Sequence, residues 1–251
     1  MNSDFIVWQD DCLAVLNKPA GITVNPSETE KNITLVEMVT DAMKIPLERA
    51  GIVHRLDKDT SGVLIVAKNI EVLGNLQAQF KERVVQKTYL TLVHGHFDEK
   101  GGEIQAPISR NPFNREKFSV IDGGRESTTG FKVEGSYIMS MDKIENMTDG
   151  ITKKNRAFFE KEAMEYSLLK VFPKTGRTHQ IRVHMKYIHK PLVGDNTYTG
   201  KKLYRLDTKW CGRQFLHAFS IKFRHPITGE DKYFEVPLAT DLQNALDFLK
   251  S

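Results

Sequence analysis

The chain predicts an α+β fold: a largely antiparallel, mixed sheet with flanking helices. Short runs rich in β-branched and aromatic residues recur along it, and stretches at helical spacing lie between them. The two kinds mix without the regular strand–helix–strand alternation of a parallel fold. Tight-turn sequences join several of the runs directly.

Phe5-Ile6-Val7-Trp8 and Cys12-Leu13-Ala14-Val15-Leu16 predict two strands about an Asp10-Asp11 turn. Thr34 to Lys44 places Leu35, Met38 and Met43 at helical spacing. Val63 to Ala67 is a strand, and Asn69 caps a helix whose apolar face is Val72, Leu73, Leu76 and Phe80. Lys87 to Gly95 returns to strand character, while residues 97–130 read as loops with short strands. Phe131 to Glu134 and Tyr166 to Phe172 are partner strands. Residues 136–162 between them form a charged insertion, read as a surface helix or a mobile excursion. Thr178 is placed to cap a helix carrying Ile181, His184, Met185 and Ile188. Gln214–Arg224 and Lys232–Val236 form a hairpin around Pro226-Ile227-Thr228-Gly229, and Thr240 with Gln243 reads as a capping box for a last helix. There are no repeats or low-complexity linkers, so residues 1–251 are expected to form a single domain carrying the 136–162 insertion.

At 251 residues and 40% apolar composition a sizeable core is expected. Met1-Asn2-Ser3-Asp4 lacks the layout of a leader peptide, and no apolar stretch nears the roughly 20 residues that span a bilayer. Cys12 and Cys211 are too few and too far apart for a disulfide framework or a cysteine zinc site. A cytoplasmic protein is expected. The net charge of +4 hides a division: residues 1–150 hold 17 Lys/Arg against 22 Asp/Glu, and residues 151–251 hold 19 against 10. From 170 to 224 there are 13 basic residues and two acids, Asp195 and Asp207. Aromatics stand among them: Phe172, Tyr187, Tyr198, Tyr204, Trp210, Phe215, Phe219 and Phe223. Such a mixture suits a polyanion whose bases can stack, although most of these rings are expected in the core.

Several chemistries fail on their spacing. Gly194 to Gly200 before Lys201 imitates a phosphate loop with one residue too many, and Lys202 stands where a magnesium-binding hydroxyl belongs. His179, His184 and His189 step by five, about 140° round a helix each time, so capping, contact or core roles fit better than metal ligation. No Gly-x-Ser-x-Gly elbow occurs, and a base deaminase would need a cysteine pair beside its zinc. Gly51 to Gly62 is the densest segment: it sets Asp57 behind Arg55 and before a Thr60-Ser61-Gly62 turn leading into a strand. A carboxylate working without metal acts with a second carboxylate, for which Asp59 is the only near candidate, or attacks alone as a nucleophile. A lone nucleophile must stay ionised, and an opposing arginine lowers its pKa by about 1–3 units. The other dense segment, Lys174 to His184, offers one.

His54-Arg55-Leu56-Asp57 with Thr60-Ser61-Gly62, and Gly176-Arg177-Thr178-His179-Gln180-Ile181-Arg182-Val183-His184, resemble the two signature segments of RluA-type RNA pseudouridine synthases. Asn17-Lys18-Pro19-Ala20-Gly21 resembles the first motif of that family, and Lys87-Thr88-Tyr89 with Val93 and Gly95 its tyrosine strand. Leu216-His217-Ala218 with His225-Pro226 resembles its closing hairpin. The five segments run in order from about residue 10 to about 240. The resemblance implies isomerisation of a uridine in structured RNA to its C-glycoside, with no metal or organic cofactor. It implies Asp57 as nucleophile, attacking the uracil ring or C1′, on a base extruded from its helix. Arg55 would fill the vacated stack, Tyr89 would stack on the flipped ring, and Leu216 would cover its other face. Arg182 would pair with Asp57. His54, Thr60, Arg177, His179 and Gln180 fall inside the motifs as substrate-binding candidates, while Lys18 and Pro19 support the catalytic loop.

On residue type alone Asp57 is a turn residue, Tyr89 and Leu216 are core residues, and Arg182 is a phosphate ligand; the five segments together favour catalysis. Many family members carry a small N-terminal S4 domain; with the first motif beginning at Asn17, none is expected here. The insertion is also longer than is usual in the family. Target selection then falls to the basic 170–224 stretch and the insertion, with ribosomal RNA favoured over transfer RNA. A monomer is expected. The alternatives are a nucleic-acid N-glycosylase using the same aspartate and a non-catalytic RNA-binding module on the same scaffold.

Overall fold

A computed structural model describes residues 5–26, 32–148 and 152–251. The opening Met1 to Asp4 lies outside the described residues. Contacts divide the chain into two compact units, residues 1–88 with 217–239 and residues 89–216 with 240–251. The fold is α+β with mostly antiparallel strands, as expected.

In the first unit β1 (Ile6–Gln9) pairs antiparallel with β2 (Leu13–Lys18), and β2 with β3 (Ser61–Ala67). Every residue of β3 is buried, which explains its unbroken apolar run. β3 then runs parallel to β10 (Leu216–Arg224), with His217 opposite Ser61 and Ala218 opposite Gly62. β10 folds back antiparallel on β11 (Asp231–Glu235), the hairpin the sequence predicts. Thr34 and Glu37 close a reciprocal capping box on α1 (Leu35–Met43). Asn69 caps α2 (Ile70–Lys81) through the Val72 N–H at 2.9 Å, and that helix lies against β3.

In the second unit the strand order is β4 (Gln86–His94), β9 (Glu165–Pro173), β8 (Thr128–Ile138), β5 (Gly101–Gln105), all antiparallel. A separate hairpin joins β6 (Ile108–Arg110) to β7 (Phe118–Val120). One packed cluster gathers Val93, Leu169, Val171, Ile181, Met185 and Leu216 from four elements. Among the described residues no helix is long and apolar enough to cross a membrane.

The insertion is two short helices. β8 continues through Ile138, still paired with Glu165 of β9; α3 (Met141–Met147) and α4 (Lys153–Glu162) follow, with residues 149–151 outside the described set. Met139, Ile144 and Phe159 anchor it as buried side chains. Arg156 bridges Glu145 of α3 and Glu160 of α4. Lys143 donates to the Phe248 carbonyl of α7 (Thr240–Lys250). Lys202 of α6 (Lys201–Asp207) bonds Asn155 and sits over the Phe158 ring.

Two caps depart from the sequence reading. α5 (Gln180–Tyr187) starts behind His179, in the left-handed region at φ 55°, and not behind Thr178. The Gln180 amide does the local bonding there: its oxygen accepts from the Arg177 N–H and the Thr175 hydroxyl. Thr240 lies inside α7 rather than before it, and Gln243 reaches forward to Asp247 instead of back to the helix start.

Candidate active site

The Asp57 segment is strapped to β3. Ile52 bridges Val66, the Val53 N–H donates to the Ile65 carbonyl, and the Ile65 N–H donates to His54 Nε2 at 3.1 Å. Because Nε2 accepts, the neutral His54 ring carries its proton on Nδ1. The ring packs 4.7 Å from Phe80. Burial, and then the nearby Lys87 charge, push the pKa of His54 down to about 3. Burial also lowers Lys87, to about 8.

Glycines at both ends let the segment lie this close. A Cβ on Gly51 would stand 1.9 Å from the Ala67 carbonyl oxygen, and one on Gly62 would stand 2.2 Å from that of Ala218. Both have positive φ, +72° and +117°. Between them the Thr60 N–H closes a turn on the Asp57 carbonyl at 3.1 Å. Asp57 is half-buried, Arg55 is exposed, and Thr60 is buried. The fully buried Lys18 ammonium donates to the carbonyls of Pro19, Ile22 and Lys58 at 2.8, 2.8 and 3.0 Å. It thereby fixes the residue next to Asp57, the supporting position expected of it. The Ser61 hydroxyl donates to His217 Nδ1 at 2.9 Å, since His217 Nε2 faces the Val236 carbonyl.

The second unit carries the remaining candidates. Tyr89 sits on β4 opposite Val171, half-buried and packed on the cluster that includes Leu216 and Ile181. Arg182, the next residue along α5, is buried and held bidentately by Asp195: Nε to Oδ2 at 2.7 Å, Nη2 to Oδ1 at 2.9 Å. Its guanidinium lies 5.1 Å from the Tyr198 ring. Asp195 Oδ1 also accepts from the N–H groups of Thr197 and Tyr198. The Tyr198 hydroxyl accepts from the Phe118 N–H and shares a hydrogen bond with His179 Nδ1 at 2.9 Å. Gln180 is buried, and its amide nitrogen donates to the Thr128 carbonyl and the Thr129 hydroxyl. Arg177 leans on the Glu126 carbonyl.

Asp195 and Tyr198 are the members of this constellation that sequence reasoning missed. A signal existed. Asp195 and Asp207 are the only acids among thirteen cations from 170 to 224, and both are buried counter-groups, Asp207 to His94 at 3.0 Å. Of the eight aromatics in that stretch Tyr198, Phe215 and Phe223 are buried, Tyr204, Trp210 and Phe219 are half-buried, and Phe172 and Tyr187 are exposed, so fewer reach the core than expected.

His184 is a core residue bonding the Thr129 hydroxyl and the Ala106 carbonyl. Asp10, Cys12 and His225 are the one group among the described residues close enough together to hold a metal. Two of its ligand atoms, on Asp10 and His225, already bond each other. His225 Nδ1 accepts from the Ile227 and Thr228 N–H groups, which leaves its Nε2 proton to donate to Asp10 at 2.8 Å.

The family model described as RNA pseudouridylate synthase matches residues 12–187. Ribosomal large subunit pseudouridine synthase D of Nitrosomonas europaea is 35% identical over 98% of this chain and 65% of its own length. Ribosomal large subunit pseudouridine synthase C of Haemophilus influenzae is 35% identical over 98% of this chain and 68% of its own. The chain thus spans about two thirds of the length of these relatives. The solved structure of Human RNA Pseudouridylate Synthase Domain Containing 1 superposes with a TM-score of 0.69 at 25% identity, covering 98% of this chain and 94% of that one. Carrying all five motif segments in order, and matched along nearly its whole length, the chain belongs to the RNA pseudouridylate synthase family, RluA type.

Proposed function

We propose that this protein converts a uridine of structured RNA, in ribosomal RNA by preference, to pseudouridine, with Asp57 as nucleophile. The attack falls on the uracil ring or on C1′. By either route Asp57 forms a covalent bond, the N1–C1′ bond breaks, the uracil turns while held, the C5–C1′ bond forms, the bond to Asp57 is released, and the proton that C5 gives up is matched by one that N1 gains. Atoms and electrons balance within one nucleotide, so the isomerisation consumes no co-reactant. Arg55, exposed beside the nucleophile, fills the stack the base has left. Tyr89 and Leu216 bracket the extruded ring, and Tyr89 takes the C5 proton. As the family resemblance implies, Arg182 pairs with the Asp57 carboxylate and holds it for attack. Gln180 and His179, bonded inside the second unit, position the start of α5. Thr60 and His54 hold the Asp57 turn, and Arg177 faces the RNA backbone.

One observation carries most of this reading: Tyr89, Leu216 and Ile181 share a single packed cluster, with the clamped Arg182 next in the chain. Asp57→Asn is expected to abolish pseudouridine while RNA affinity is kept. Mass analysis distinguishes the chemistry, because isomerisation leaves RNA mass unchanged whereas an N-glycosylase releases free uracil. Pseudouridine formed by Asp57→Asn at the normal rate would end the proposal. We place the activity in the cytoplasm, in residues 1–251 acting as one catalytic domain and as a monomer. Size-exclusion with light scattering tests the last point.

A further inference from the structure

The β6–β7 hairpin ends in a loop that holds one aromatic ring out in solvent: Phe113 is 97% exposed. Single exposed apolar residues are ordinary on protein surfaces. Phe113 differs in the loop that carries it. Asn111 Oδ1 accepts from the Phe113 and Asn114 N–H groups at 2.9 and 3.0 Å, and the Asn111 N–H donates to the Lys117 carbonyl at 2.9 Å. The Lys117 N–H closes on the Asn114 carbonyl, and Arg110 Nη1 donates to the Arg115 carbonyl at 2.7 Å. A loop bonded this densely loses little further freedom when its tip is covered.

The tip is also charged. Arg110, Arg115 and Lys117 stand against Glu116 alone, and among the described residues no carboxylate forms an ion pair with any of the three. The base of the hairpin joins the site described above. Ile108, Val183 and Tyr198 form a cluster with Phe118 packed on it, the Phe118 N–H donates to the Tyr198 hydroxyl, and the Tyr198 ring lies under Arg182.

We propose that Phe113 stacks on an unpaired base of the substrate RNA outside the reacting nucleotide, while Arg110, Arg115 and Lys117 grip the flanking phosphates. This makes Phe113 a specificity-determining contact, and it rests on the reading of the protein as an RNA-modifying enzyme. An aromatic face with cations round it matches a base with its phosphates. A protein partner covering the same ring would have to be acidic to meet those cations.

The test uses the full chain and an unmodified large-subunit ribosomal RNA transcript. Phe113→Ala should weaken binding roughly 10-fold or more, the usual effect of losing one base–aromatic stack, with turnover at saturating RNA unchanged. Phe113→Trp should restore affinity, and its added fluorescence should be quenched by RNA. The Phe113→Ala salt slope should equal that of the wild type, whereas Arg115→Ala with Lys117→Ala should flatten the slope by about 1.5. At 97% exposure the ring supports no packing, so unfolding cannot mimic the result. Wild-type affinity in Phe113→Ala, or a Phe113→Trp signal indifferent to saturating RNA, overturns the stacking contact even if pseudouridine still forms. Conversely, a wild type that makes no pseudouridine while Phe113→Ala still binds more weakly sinks the enzymatic reading and leaves the contact standing.

Discussion

Arg182 shows how much of the site depends on a residue that no motif announces. Its charge is buried, and Asp195 compensates it with two parallel hydrogen bonds. Asp195→Asn removes that compensation and leaves a buried cation, a change that typically costs about 3–5 kcal/mol. Urea unfolding should show a fall of that order, and pseudouridine formation should fall as well, because the guanidinium loses its fixed orientation. If Asp195→Asn is as stable as the wild type, Asp195 is not the clamp. Asp57, Tyr89 and Arg182 could be singled out as candidates because each sits in a short local string. The clamp was not, because its partners are thirteen positions apart with a helix end between them and nothing periodic linking them. Only the scarcity of acids from 170 to 224 pointed to it.

Among the elements, β3 most directly sets the position of the Asp57 turn. It is paired with β2 on one side and with β10 on the other, where Gly62 lies opposite Ala218. Gly62→Ala puts a methyl 2.2 Å from a backbone carbonyl at a φ of +117°, and no rotamer change relieves a backbone clash. The loss should exceed the about 0.5–3 kcal/mol of an ordinary substitution, read as a lowered unfolding midpoint. Unchanged stability would mean that β3 and β10 are not held this closely. Strand identities and the β10–β11 hairpin were readable because alternation and turn residues are local signals. The starts of α5 and α7 were misread for a related reason. Thr178 and Thr240 have the right residue type for caps, but the Gln180 amide bonds to strand β8, a contact that propensity does not encode, and Gln243 is drawn forward by Asp247. The insertion is a third case. Its charged composition hid three anchors, Met139, Ile144 and Phe159, that become core only once β9 and the terminal helix are in place.

For the whole molecule, pH exposes one constraint of the fold. Folding holds His54 at about 3, whereas an unfolded histidine titrates near about 6.5. Between those values the unfolded chain binds the extra proton, so stability is full above pH of about 6.5 and declines as the pH falls toward 3. Denaturation midpoints at pH 7 and pH 5 should differ, and His54→Gln should narrow the gap. A gap of the same size in that variant would assign the acid sensitivity elsewhere. The division of charge was legible in the sequence from the start, and folding sharpens it by burying both acids of the basic stretch. The pairing of Ile138 with Glu165 across β8 and β9 has a practical use. Everything between them leaves and returns at neighbouring positions of one ladder, about 5 Å apart. A guest sequence whose own ends meet can therefore be grafted at this ladder, provided it also refills the places of Met139, Ile144 and Phe159 in the core, and the scaffold offers a splice point for building chimeric modification enzymes.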